Sequence, residues 1–155
     1  TTSRCLWNEV RNQQEHTRRF DLKALDHVII KAAGPTTSDT SFRFKKLADG
    51  GFNEVFLAVV DERRLIVKIP DPAIPPRLVR PSEVATLEFL LFEQELRVLK
   101  VLSWSDNSDN SVGCECIIME EAQRRALSTV RERLGIDDKF SVVNEVLSMQ
   151  KRFVA

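Results

Sequence analysis

The chain has 155 residues, of which 43% are hydrophobic and 30% charged, so one domain with a single hydrophobic core is expected. Its 23 basic side chains balance 23 acidic ones, and this neutral charge disfavours nucleic acid as a partner. The sequence also lacks an apolar run near the roughly 20 residues that a membrane-spanning helix needs.

Two helices are predicted before the first strand, at residues 5–18 and 21–33. Asp21 is expected to cap the second helix, because a short acidic side chain accepts hydrogen bonds from the free amides of a first turn. Gly34 and Pro35 should end this helix. Its predicted apolar stripe consists of Leu22, Leu25, Val28, Ile29 and Ala32.

Three strands are predicted within residues 42–70, which follow a polar linker. The first two strands form a hairpin with Gly50 and Gly51 at its tip. A polar turn at 61–64 leads to the third strand, Leu65–Ile69, which ends at a proline because proline has no N–H to donate.

Lys68 stands out in the third strand because its neighbours are apolar. An unpaired ammonium is costly in a largely buried strand, so an anionic partner is expected. A glycine-containing turn followed by a lysine on the next strand is the arrangement that covers and pairs nucleotide phosphates in kinases. The alternative is an ordinary β-meander with a lysine on an edge strand.

Residues 71–81 contain four prolines and are predicted to form an extended connection. A helix is predicted at 82–96, with Pro81 suited to its first turn.

Glu83 is the predicted partner of Lys68. At about 100° per residue, Glu83 shares a helix stripe with Leu87 and Leu90, which should face the sheet. Pairing of such a glutamate with the strand lysine positions the lysine on the nucleotide phosphates in kinase-like folds. The alternative role of Glu83 is to complement the helix dipole in a first turn.

The rest of the chain is predicted to contain two strands, 97–105 and 114–120, followed by two helices. These helices cover 126–134 and 137–153, with Gly135 between them. The second has an apolar stripe that would pack against another surface.

The cysteines Cys5, Cys114 and Cys116 are odd in number, which argues against a disulfide framework and suits a reducing compartment. Two thiols at 114 and 116 would need two further ligands to hold a metal ion. The histidines, His16 and His27, lie far away in sequence, so no metal site is predicted.

The order of these motifs resembles the N-terminal lobe of the aminoglycoside phosphotransferase and choline kinase-like family. The segments that carry the resemblance are KLADGGFNEVFL at 46–57, LIVKIP at 65–70, SEVATLEFL at 82–90, KVLSW at 100–104 and the hinge-like IIMEEA at 117–122. Residues 2–9 and 20–34 are also similar to the fungal mitochondrial branch called altered inheritance of mitochondria protein 9.

The resemblance implies an α+β fold, a kinase-like N-lobe with a five-stranded antiparallel sheet and one intervening helix. It also implies ATP as the ligand. The implied nucleotide-binding residues are Gly50, Gly51, Lys68, Glu83, Met119, Glu120 and Ala122. Here the Glu120 carbonyl and the Ala122 N–H would meet the adenine edge, with Met119 behind them.

The resemblance divides the chain into a helical extension at 1–35, the kinase-like N-lobe at 36–122 and the start of a truncated helical C-lobe at 123–155. In this family the catalytic base lies in a His-x-Asp-x-x-x-x-Asn segment, followed by a metal-binding Asp. Neither Asp137 nor Asp138 is preceded by such a histidine. ATP binding is therefore expected to be weak or lost in this chain, with no catalysis, and Mg²⁺ only with a complete C-lobe.

Two other hypotheses stay open at this point. The chain could be a non-catalytic, pseudokinase-like module that binds a protein partner or a second copy through the face that a C-lobe would cover. It could also be an unrelated α+β domain. By resemblance the location is mitochondrial, whereas the phosphate acceptor is not implied.

Overall fold

The structure, a computed structural model, describes residues 20–35, 40–49, 53–70, 79–123 and 125–154. In chain order the elements are α1 (Leu22–Ala33), β1 (Phe42–Asp49), β2 (Asn53–Val60), β3 (Arg63–Pro70), α2 (Val79–Glu88) with a π-helical turn (Phe89–Glu93), β4 (Val101–Ser105), β5 (Cys116–Glu120), α3 (Leu127–Val130) with a 3-10 turn (Arg131–Arg133), and α4 (Ile136–Val154).

The five strands form one antiparallel sheet in the order β1-β2-β3-β5-β4. Helix α2 lies between β3 and β4 in the chain. The predicted α+β fold, with a five-stranded antiparallel sheet and one intervening helix, is therefore confirmed and is consistent with a kinase-like N-lobe. No helix in the described ranges is long and apolar enough to cross a membrane.

Helix α1 begins and ends where the sequence predicts. The Asp21 carboxylate accepts the Ala24 N–H at 3.1 Å, which satisfies one of the amides left free in a first turn. Gly34 follows the helix with a φ of 89°, a conformation that glycine adopts without steric penalty. Leu25 is fully buried, whereas Leu22 in the first turn is 55% exposed.

Alternation along β3 separates the two faces of the sheet. Leu65, Val67 and Ile69 are buried in the main core with the apolar side of α1. Ile66 and Lys68 point to the opposite face, which α2 covers. The apolar cluster beneath α2 consists of Val84, Ile117 and Met119, with Ile66, Leu87, Leu99 and Val101 at its edge. The sheet therefore presents Lys68 to α2.

Helix α2 begins earlier than the predicted 82–96. It begins at Val79, because Pro81 fits within a first turn, where a missing N–H removes no helical hydrogen bond. The predicted extended connection, 71–81, is therefore wrong for its last three residues, and 71–78 lie outside the described residues. The α-helical part also gives way to the π-helical turn before the predicted end.

The last elements differ from the prediction only in their ends. The last two strands are shorter than predicted, since residues 97–100 and 114–115 lie outside them. Glu95 has a φ of 50°, which turns the chain between the π-helical turn and β4. The predicted helix at 126–134 is α3 with its 3-10 turn, and the one at 137–153 is α4.

The predicted helix at 5–18 lies outside the described residues. The division of the chain into 1–35, 36–122 and 123–155 stays a prediction.

Candidate functional site

Lys68 lies near the end of β3, opposite Val55 of β2, and its side chain is 22% exposed. Its ammonium donates to Oε1 of Glu83 on α2. The predicted contact between Lys68 and Glu83 is therefore confirmed, and it gives a partly buried lysine the anionic partner that it requires. The phosphate-binding role of the pair stays a prediction.

Glu83 lies beyond the first turn of α2, further into the helix than predicted. The field of a helix dipole falls off within its first turn, so compensation of the dipole does not explain this carboxylate. Its two oxygens contact two different cations instead. Oε1 accepts from Lys68, and Oε2 accepts from Nη1 of Arg80 at 2.8 Å.

Arg80 is a site residue that the sequence analysis missed. Its side chain is 1% exposed, and its Nη2 donates at 2.5 Å to Oδ1 of Asn53, the first residue of β2. Its Nε–H finds no acceptor within the described part of the chain. The available signal was the three-residue spacing between Arg80 and Glu83, which brings two side chains together on a helix. That signal was lost because the predicted helix began after Arg80.

The glycine turn between β1 and β2 is described only at its two ends. Gly50 and Gly51 lie outside the described residues, so their role stays a prediction. Leu47 forms a bulge in β1, and such a bulge increases the local twist of a strand. Lys46 and Glu54 form a 2.5 Å ion pair between the two strands. Both strands thus approach the turn as a paired and twisted hairpin.

The predicted hinge follows directly from β5. Met119 is buried in the cluster beneath α2, and the Glu120 N–H donates to the Lys100 carbonyl at 3.1 Å. The Ala122 N–H donates to no acceptor among the residues that the structure describes. A backbone donor of this kind is available to a ligand. The adenine contacts of Met119, Glu120 and Ala122 stay predictions.

A second ion pair, which the sequence analysis did not predict, ties this hinge to β3. Both Nε and Nη2 of Arg64 donate to the Glu121 carboxylate, the latter at 3.0 Å. The Glu121 N–H also donates to the Arg64 carbonyl at 3.3 Å. The hydrogen bond from Arg64 lowers the pKa of Glu121, and the same bond raises the pKa of Arg64. Two neighbouring segments are thus joined through both backbone and side chains.

A cavity of about 710 Å³ lies beside the hinge, within the volume range of small-molecule sites. Its lining includes Arg64, Glu120 and Ala122, together with the end of α1. Lys68 does not line this cavity. It lies four residues further along β3 than Arg64, at a distance of roughly 13 Å.

A smaller cavity of about 230 Å³ lies on the same face of the sheet as Lys68. Its lining residues are Arg43, Lys45, Leu57, Val59 and Arg64. Cationic side chains therefore surround an apolar floor at the hinge end of this face.

The two cysteines of the described chain are buried. Burial raises the pKa of Cys116 to about 11, against the opposing effect of the nearby Arg80 charge. The Cys116 thiol is therefore protonated at neutral pH, unlike a reactive thiolate. No group of three His, Cys, Asp or Glu side chains suited to a metal ion occurs in the described ranges.

The known proteins that resemble this chain are longer, and each resembles it over only part of its own length. No protein-family model matches the sequence. A subtelomeric hrmA-associated cluster protein, found in two strains of Aspergillus fumigatus, is 38% identical over 109 residues, which are 69% of this chain and 21% of the relative. Altered inheritance of mitochondria protein 9 of Meyerozyma guilliermondii is 23% identical over 137 residues, which are 83% of this chain and 22% of the relative.

The solved structure of a protein assigned as an aminoglycoside phosphotransferase, from Ralstonia eutropha, aligns with 69% of this chain and 29% of its own chain. The identity is 18% and the TM-score 0.48. The chain thus spans about a fifth of the length of the curated relatives that it matches.

Proposed function

We propose that this chain is the nucleotide-binding N-terminal part of an aminoglycoside phosphotransferase-like kinase. In a longer form of the protein, a further lobe would transfer the terminal phosphate of ATP to an acceptor. The observation that carries the proposal is the Lys68–Glu83 pair, which joins β3 to α2. In protein kinases such a pair must be in place for phosphoryl transfer.

The charges of the site favour a polyanionic ligand. Lys68 and Arg80 share the single carboxylate of Glu83, so these three groups together carry a net positive charge. The cations of the smaller cavity lie on the same face of the sheet. Because Lys68 is partly exposed, its ammonium is accessible to phosphate oxygens.

The hinge supports a base-binding role at the other end of the site. The Ala122 N–H is available as a donor. The cavity of about 230 Å³ lies on the Lys68 face at this end of β3, whereas the cavity of about 710 Å³ is lined by Ala33, Leu65 and Leu102 on the α1 side of the sheet. A nucleotide with its base near Ala122 and its phosphates near Lys68 would lie along β3. Gly50 and Gly51 would then cover the phosphates.

We further propose that this chain alone binds ATP weakly and transfers no phosphate. Phosphotransfer needs a positioned base and metal-held phosphates, and the sequence contains no histidine after the hinge. Mg²⁺ binding is proposed only for a longer form. A mitochondrial location is supported only by the name of the Meyerozyma guilliermondii relative.

Titration calorimetry with ATP tests the nucleotide-binding proposal on the parent chain and Lys68→Met. We expect the parent to bind and Lys68→Met to bind at least about tenfold more weakly, because a hydrogen bond to a charged group contributes about 1.5–3 kcal/mol. Lys23→Met removes an exposed lysine of α1 and is the matched control. If the parent fails to bind ATP, or if Lys68→Met binds equally well, the proposal is refuted.

A non-catalytic interaction module is the second candidate function. Its support is an apolar stripe of α4, at which Ile136, Phe140, Val143 and Leu147 are 49–66% exposed. These residues recur at four- and three-residue spacing, which is typical of helix pairing. Association that depends on this stripe, without ATP binding, would favour the module.

A further inference from the structure

We propose that Arg80 is a positioning residue that couples the start of β2, at Asn53, to the Lys68–Glu83 pair. The proposal deepens the proposed function and rests on it for the identity of the ligand. The coupling itself rests on the contacts of one buried guanidinium.

The Arg80 side chain joins two elements that are distant in sequence. Nη1 donates to Glu83 on its own helix at 2.8 Å, and Nη2 donates to Asn53 on β2 at 2.5 Å. A guanidinium is planar and holds its donors in a fixed geometry, so its two acceptors are fixed relative to each other. Since Arg80 is 1% exposed, surrounding atoms also restrict its movement.

Asn53 places the far end of this connection at the start of β2. It is the first residue of β2 and pairs with Pro70 at the end of β3. Gly50 and Gly51 precede it by only a few residues. Holding Asn53 against α2 therefore fixes the start of β2 close to the end of β3 that carries Lys68.

Sharing of the Glu83 carboxylate explains how Lys68 could turn to a phosphate at low cost. A carboxylate that is partly withdrawn from solvent, as Glu83 is at 26% exposure, is destabilised when it loses its only cation. Here Oε2 of Glu83 keeps Arg80 as a partner while the Lys68 ammonium bonds to a ligand. The arrangement therefore favours a phosphate-bearing ligand over a neutral nucleoside.

The test uses Asn53→Ala, which removes the distant acceptor and leaves all three charges in place. Arg80→Lys is the second variant, because it keeps the charge and lacks the two-pronged geometry of the guanidinium. Asn144→Ala, at an exposed position of α4, is the matched control. Two quantities are measured: hydrogen exchange of residues 53–56 at the start of β2 without ligand, and the calorimetric affinities for ATP and adenosine.

We expect Asn53→Ala and Arg80→Lys to speed exchange in residues 53–56 roughly tenfold, the effect of losing one hydrogen bond to a charged group. We also expect both variants to lose ATP affinity several-fold while affinity for adenosine changes less than about twofold. Asn144→Ala should behave like the parent chain in both measurements.

Unchanged exchange in both variants would overturn the coupling, even if each variant were less stable to heat. An equal loss of affinity for ATP and adenosine would overturn the role towards phosphates. If the parent chain binds no ATP, the proposed function and the phosphate role both fail. The exchange measurement then still decides whether Arg80 couples the start of β2 to α2.

Discussion

At the scale of single residues, Glu83 contributes more to the stability of the site than Lys68 does. Replacing Glu83 by Gln leaves the guanidinium of Arg80, which is 1% exposed, without its carboxylate. We expect this change to destabilise the fold by about 3–5 kcal/mol, the usual cost of breaking a buried ion pair. Lys68→Met should cost only about 1 kcal/mol, because the lysine is partly exposed and Glu83 keeps Arg80.

Denaturant unfolding of both variants measures this difference in the free energy of unfolding. Glu88→Gln, on the exposed side of the same helix, is the control and should change stability by less than about 0.5 kcal/mol. A Glu83→Gln effect as small as that of the control would contradict the shared carboxylate.

The ion pair between Arg64 and Glu121 makes stability depend on pH in a defined direction. The pKa of Glu121 is lowered in the folded state, chiefly by the hydrogen bond from Arg64. The contribution of the Glu121 carboxylate to the free energy of unfolding is therefore complete above the pKa of an unfolded glutamate, about 4.3. It is lost as the pH falls through the lower pKa of the folded state. The pKa of Arg64 is raised, so Arg64 stays charged throughout this range.

We expect the melting temperature of Glu121→Gln to be lower than that of the parent near neutral pH. This difference should shrink as the pH falls below the pKa of an unfolded glutamate, about 4.3, and through the lower pKa of the folded-state Glu121 carboxylate, where that carboxylate becomes protonated. Thermal unfolding across this range measures it, with the exposed Glu132→Gln as control. A difference that stays constant with pH would show that the ion pair does not cause it.

At the scale of elements, α2 shows what the sequence could and could not predict. Lys68 and Glu83 could be predicted because each is a single charged residue in an apolar pattern. Lys68 interrupts an apolar strand, and Glu83 lies on the apolar stripe of a helix. Arg80 was missed because the prolines before it read as an extended segment, although Pro81 is compatible with a first turn. Contacts that reach from α2 to Asn53 depend on tertiary packing, which local patterns do not encode.

Helix α4 provides the prediction at this scale. Its stripe of exposed apolar residues should drive self-association of the chain, because burial of such side chains is favourable. Sedimentation at high concentration should detect dimers or larger species of the parent. Val143→Lys, within the stripe, should shift the chain towards monomer, whereas Ser148→Lys, about 140° around the helix from Val143, should not. A monomeric parent would contradict the prediction.

At the scale of the whole molecule, the sequence predicts the architecture but not the full set of residues that form the site. The alternation of apolar and polar residues in the strands, the turns between them and one intervening helix predict the five-stranded sheet, since each is a local pattern of the sequence. The residues Gly50, Gly51, Met119, Glu120 and Ala122 entered through resemblance, and their nucleotide contacts stay predictions.

The chain alone should neither hydrolyse ATP nor transfer its phosphate. No side chain after Ala122 matches the histidine and aspartate pattern that supplies the base and the metal ligands in kinases. Phosphate release and transfer assays on the purified chain should equal the buffer control. Activity above that control and lost in Lys68→Met would contradict this prediction.

Covalent labelling by an acyl-phosphate derivative of ATP tests the central claim, the nucleotide site at Lys68, most directly. Such a reagent acylates a lysine that contacts the phosphates, and peptide mass spectrometry then identifies the modified residue. We predict selective labelling of Lys68 that excess ATP suppresses and excess adenosine suppresses less. Labelling spread over exposed lysines such as Lys23, or labelling of Lys68 that ATP does not suppress, would contradict it.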